Sequence, residues 1–194
     1  MDDTGYFVET DELLHNKLGI TDPAQLASTE YDITARKTSE VIATLHPTVF
    51  DFALLLDLHR RLFEDIYDFA GKVRTVNISK PDSPVPFCYC DFIPSESDRI
   101  FGELKRDNYL VHLDHDNFVD KLTYYASELN ALHPFREGNG RTTRLYLDLL
   151  CNHAGYIIDF AFASRRAILY ADTQAFAGNL EPLHDLYRQI VIKL

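Results

Sequence analysis

Residues 133–144 read His133-Pro134-Phe135-Arg136-Glu137-Gly138-Asn139-Gly140-Arg141-Thr142-Thr143-Arg144 and stand between two helical patterns. Upstream, Phe118, Leu122, Tyr125, Leu129 and Leu132 recur at helical spacing, which predicts a long helix from about Asp114 to Leu132 with one apolar face. Downstream, the run from Arg141 to Cys151 is apolar on most faces. It predicts a helix through the middle of a bundle, ended by Gly155. The stretch is therefore a loop joining a helix that stops to one that starts.

Working outward, helix follows helix. Leu13, Leu14 and Leu18 suggest a short helix, and Thr21-Asp22-Pro23 reads as the capped start of another that runs to about Leu45. Leu54, Leu55, Leu58, Leu62, Phe63 and Ile66 predict an amphipathic helix from Phe50 to Phe69. Further helices are expected over Ser95 to Tyr109, Ala163 to Ala177 and Leu180 to Lys193. Between Val73 and Ile93 the pattern becomes two short strands around Lys80-Pro81-Asp82-Ser83-Pro84, with the prolines favouring a sheet edge. The expected architecture is all-α: one helical-bundle domain over residues 1–194 with an inserted β-hairpin.

The 194 residues carry 19 Lys and Arg against 30 Asp and Glu, a net charge of −11 that disfavours a nucleic-acid backbone at long range. A local arginine cluster can still hold a small phosphorylated ligand. Three cysteines are too few for a disulfide framework, and Cys88-Tyr89-Cys90 lacks the spacing of a zinc knuckle. With no signal-like amino terminus in Met1 to Gly5 and no apolar run of membrane-spanning length, a soluble cytoplasmic protein without a membrane partner is expected.

The loop carries the chemistry. Gly138 and Gly140 permit positive φ and close backbone approach, and the following helix start presents N–H groups without partners, which together make an anion nest. Arg141 and Arg144, three apart, lie on one side of the first turn and suit a polyphosphate. Glu137 beside such a nest makes sense as a ligand for Mg²⁺ carried by a nucleoside triphosphate. His133 is the natural general base. Singly, each residue has an ordinary structural explanation, and Glu137 alone could compensate the two arginines.

Together these residues resemble the Fic family motif, His-Pro-Phe-x-(Asp or Glu)-Gly-Asn-Gly-Arg-x-x-Arg, with every constrained position filled. Residues 59–74 are similar to that fold's helix and hairpin entry, and the resemblance spans roughly residues 45–160. It implies Mg²⁺-dependent transfer of AMP from ATP to a target-protein hydroxyl, with His133 as base and Glu137 on the metal. Gly138, Asn139, Gly140, Arg141 and Arg144 would hold ATP, and the hairpin, at Val76, Asn77, Ile78 and Ser79, would be a target-docking flap. Fic proteins are commonly restrained by a helix in which Ser or Thr precedes a Glu by four residues. No glutamate here has that neighbour. The resemblance then implies a toxin whose separate small antitoxin supplies a Glu to Arg144, with a type II topoisomerase subunit as the expected kind of target. Removal of AMP, another phosphoryl or nucleotidyl transfer, and a non-catalytic nucleotide-binding module are the alternatives.

Overall fold

Capping residues set where the chain turns into helix. In the computed structural model, which describes residues 13–79 and 86–194, Asp22 accepts from the Gln25 N–H (2.7 Å) and Pro23 opens α1, Pro23–Thr44. Asp51 caps Leu54 (2.8 Å) to start α2, Phe52–Phe63. α3, Ile93–Arg106, has Pro94 in its first turn, Asp114 caps α4, His115–Leu132, and α5 is Asn139–Ala154. After a short strand β1, Tyr156–Ile158, Ser164 caps α6, Arg165–Phe176, which is followed by α7, Glu181–Ile190, and β2, Val191–Lys193.

α5 runs through the centre. Leu145, Tyr146, Leu147, Leu149, Leu150 and Cys151 are all buried, and the helix is packed by α1, α2, α4 and β1. That explains its near-continuous apolar pattern. The expected all-α bundle is what the chain forms. The only sheet among the described residues is the antiparallel pair β1–β2, in the register Tyr156↔Lys193. Among the described residues, the hairpin segment folds back on itself through one antiparallel bridge, Ser79↔Pro86, and no ladder. The turn Lys80 to Pro84 lies outside the described residues, as does the amino-terminal stretch Met1 to Gly5.

Three helical expectations are corrected. Residues 13–20 form turns, because the Asn16 side chain accepts the Ile20 N–H (3.0 Å) and donates to the Ile20 carbonyl (2.9 Å), a local alternative to helix. α2 ends at Phe63 rather than Phe69, since Lys17 takes the carbonyls of Glu64 and Ile66 that a continuing helix would use. The last helix stops at Ile190, where the β-branched Val191 and Ile192 find a partner strand in Ile157 and Ile158.

The hairpin is pinned to the bundle. The Cys88 N–H donates to Ala131 of α4 (2.9 Å), and the Arg74 N–H donates to the Pro134 carbonyl (2.9 Å). The three cysteines are free thiols. Among the described residues no helix is long and apolar enough to cross a membrane.

Candidate active site

His133 closes α4 in the left-handed region (φ 43°, ψ 59°), with its N–H still bonded to Leu129. Its ring stacks on Phe87 of the hairpin, with centroids 3.6 Å apart. Nδ1 lies 3.3 Å from the Asn130 carbonyl. A carbonyl only accepts, so Nδ1 is the donor in this contact, and in the neutral ring Nε2 then carries the lone pair. Arg74, buried, gathers the neighbouring carbonyls: Nε donates to His133 (2.9 Å), Nη1 to Val76 (2.7 Å) and Nη2 to Cys88. Hairpin and motif loop are thus fastened by one side chain.

The loop from Pro134 to Gly138 is held from inside. Asn139 accepts the Phe135 N–H (2.9 Å) and donates to the Phe135 carbonyl (2.8 Å). Its amide therefore shapes the loop, and its side chain is not turned outward to a phosphate. Gly138 takes φ 81° directly against Phe63, where a Cβ would come within 2.3 Å of the ring. That approach admits only glycine. α5 then starts without a side-chain cap. The N–H groups of Asn139, Gly140 and Arg141 have no acceptor within their own helix, and the positive end of its dipole faces the mouth of the loop.

His59 supports this loop from beneath, a role the sequence analysis did not foresee. The Gly71 N–H donates to Nδ1 (2.8 Å), so Nε2 carries the proton and donates to the Glu137 carbonyl (3.0 Å). The ring is stacked on Phe135 with centroids 3.8 Å apart. Burial, with the charge of Arg141 adding to it against the Glu137 hydrogen bond, pushes the His59 pKa down to about 4. The imidazole is a neutral strut at physiological pH.

The two motif arginines part company. Arg144 lines a cavity with Asn130, His133, Gly140 and Asp172, and its guanidinium lies over Gly140. Burial holds Arg144 below the ordinary guanidinium range, partly offset by the nearby Asp172 carboxylate. The cavity leaves about 30 Å³ of room for water-sized groups and opens to the surface. Arg141 is not on that wall. It is drawn to α1, where Nη2 pairs with Glu30 and lies 3.3 Å from Glu137 Oε1, and its guanidinium sits 4.8 Å over the Phe63 ring. The expectation that both arginines reach one pocket is corrected: a buried acid from α1 captures the first.

Glu30 and Tyr67, like His59 and Arg74, were not singled out from the sequence. A usable signal existed, since Leu26, Glu30 and Thr34 share one helical face and that face is buried. Glu137 itself is half exposed, with Oε1 accepting from the Gly138 N–H (2.8 Å). No group of three or more His, Cys, Asp or Glu among the described residues could hold a metal. A single carboxylate beside an anion nest nevertheless fits Mg²⁺, which is commonly held by one or two carboxylates, water and substrate phosphates. Of the flap candidates, Asn77 and Ser79 are exposed, Ile78 is partly covered, and Val76 is buried with its carbonyl taken by Arg74. The Asn77 side chain accepts the Cys90 N–H (2.8 Å) across the hairpin.

A histidine at the lip of an open helix start, with a hairpin fastened beside it, marks the class: a Fic-type fold. Residues 49–151 match the sequence profile of the Fic/DOC family, and the chain belongs to that family. It is 32% identical over 180 residues to the probable protein adenylyltransferase Fic of Escherichia coli K12, covering 93% of this chain and 88% of that protein. It is 37% identical over 177 residues to protein adenylyltransferase VbhT of Bartonella schoenbuchensis, covering 91% of this chain and 37% of that longer protein. Among solved structures, the N-terminal Fic domain of a Bartonella quintana effector with bound ADP superposes with a TM-score of 0.95 at 29% identity, covering 98% of this chain and 95% of that one. The BepC protein of Bartonella tribocorum with bound AMPPNP gives a TM-score of 0.94 at 27% identity, with 97% of each chain covered.

Proposed function

We propose that this chain transfers AMP from ATP to a hydroxyl side chain of a protein. The observation that carries the proposal is the placing of His133 at the mouth of the α5 start, in a cavity shared with Arg144. In this reaction the target hydroxyl oxygen attacks the α-phosphorus, its proton passes to Nε2 of His133, and the bond from the α-phosphorus to the bridging oxygen breaks to release pyrophosphate. The N–H groups of Asn139, Gly140 and Arg141 bind phosphate oxygens, and Arg144 neutralises the outer phosphates. Mg²⁺, when bound, supplies further charge compensation at the phosphates, and Glu137 is the residue that would hold it. Adenylyltransferase names among the relatives support the same activity.

The hairpin presents the target backbone to His133, and Asn77 and Ser79 are its exposed positions. With no Ser or Thr four residues before any of its glutamates, the chain depends for restraint on a separate small antitoxin that places a Glu on Arg144. The intact motif favours AMP transfer over a non-catalytic nucleotide-binding module. A type II topoisomerase subunit is the proposed kind of target, and the cytoplasm the proposed compartment.

Incubating the protein and a bacterial lysate with ATP labelled at the α- or the γ-phosphate tests the reaction class. Label retained on protein from the α-position supports AMP transfer. Label retained only from the γ-position indicates a kinase, and binding without either argues for a non-catalytic module.

A further inference from the structure

Glu30 is an acid on the buried face of α1, and both its carboxylate oxygens are held: Oε1 by the Arg141 guanidinium and Oε2 by the Tyr67 hydroxyl. Through that guanidinium the carboxylate lies one group away from Glu137, whose Oε1 is 3.3 Å from the same Arg141 nitrogen. Arg141 thus stands between two acids. Thr34, at 3.5 Å from Nη1, and the Phe63 ring complete its surroundings.

We infer that Glu30, held by Tyr67, is a positioning residue that draws the charge of Arg141 away from Glu137 and so keeps the Glu137 carboxylate able to take a divalent cation. The inference rests on the proposed role of Glu137 toward a metal–nucleotide complex. Its physical basis is simple electrostatics at short range. An arginine alone beside Glu137 would neutralise that carboxylate and repel a cation approaching it, whereas an arginine already matched by a buried acid contributes little net charge. The same pairing fixes the direction from which Arg141 touches Glu137 Oε1, the oxygen that also accepts the Gly138 N–H.

The test is calorimetric binding of a non-transferable ATP analogue, with methylene in place of the α,β-bridging oxygen, measured with Mg²⁺ and again with chelator. The ratio of the two affinities is the coupling between metal and nucleotide. Glu30→Gln should reduce that ratio by about tenfold without weakening metal-free binding, because the released Arg141 charge remains favourable to phosphate. Glu30→Gln combined with Arg141→Gln should recover the ratio, which a merely structural role for Glu30 would not produce. An unchanged ratio, or a parallel loss of both affinities, overturns the inference while leaving the proposed function standing. Wild-type protein that binds no nucleotide under either condition brings down the proposed function and this inference with it. Should Glu30→Gln fail to fold, Tyr67→Phe, which frees only one carboxylate oxygen, carries the test: a smaller fall in the ratio is expected, and none overturns it.

Discussion

His59 and Glu137 are 78 residues apart in the chain and are joined by a 3.0 Å hydrogen bond from an imidazole N–H to a backbone carbonyl. Its direction is set by Gly71, whose N–H occupies the other ring nitrogen. The bond works only with neutral histidine, since a protonated ring would turn a second N–H against that of Gly71. The loop bearing Glu137 is therefore held by a group that burial keeps uncharged.

A pH dependence follows, with a definite sign. The folded His59 has its pKa lowered from 6.5 to about 4, so above 6.5 both folded and unfolded states are neutral there and the contribution is complete. As the pH falls from 6.5 toward 4 the unfolded chain takes up a proton that the fold excludes, and stability of ~3 kcal/mol is progressively lost. Urea unfolding at about pH 7 and about pH 5 should show the gap between wild type and His59→Gln narrowing at the lower value. A gap that stays constant would contradict the neutral strut.

Gly138→Ala places a methyl against the Phe63 ring at a positive φ. Overpacking and backbone strain together should cost about 2–5 kcal/mol, seen as a lower denaturant midpoint. Adding Phe63→Leu should recover part of the loss, but not the share due to φ, about 1 kcal/mol. Full recovery would show that only the ring contact matters.

His133→Ala should lower AMP transfer by about 10²–10⁴ while nucleotide affinity stays close to that of wild type, because the base acts in the chemical step. Equal losses in turnover and in affinity measured by calorimetry would move His133 out of that role.

Arg74→Lys keeps a positive charge but offers no planar fork to the carbonyls of His133, Val76 and Cys88. Helix content by circular dichroism should persist. Limited proteolysis should cut faster near residues 76–88, and resistance equal to wild type would mean that other contacts hold the hairpin.

Much of the fold was legible because its helices carry local signals. Asp22-Pro23 marked the start of α1, the spaced apolar residues from Phe118 to Leu132 marked α4, and an apolar run marked the central α5. The ends were less so, since α2 stops where Lys17 takes its carbonyls and no periodicity within α2 reports that contact. The same limit applies to the site. The motif loop reads directly, but the residues that orient it act across long separations: Glu30 reaches Arg141 over 111 residues and Arg74 reaches His133 over 59. Composition and spacing place a residue on a face, and only the fold decides which distant group meets it there.

His133 sits at the position where α4 runs out, still bonded to the last turn through Leu129. α4 therefore acts as a ruler for the imidazole. One residue inserted anywhere along it would swing the ring by ~100° and carry it ~1.5 Å along the axis, away from Phe87 and the Asn130 carbonyl. Substitutions that keep the length of this helix leave the imidazole in place, whereas a change of length moves it.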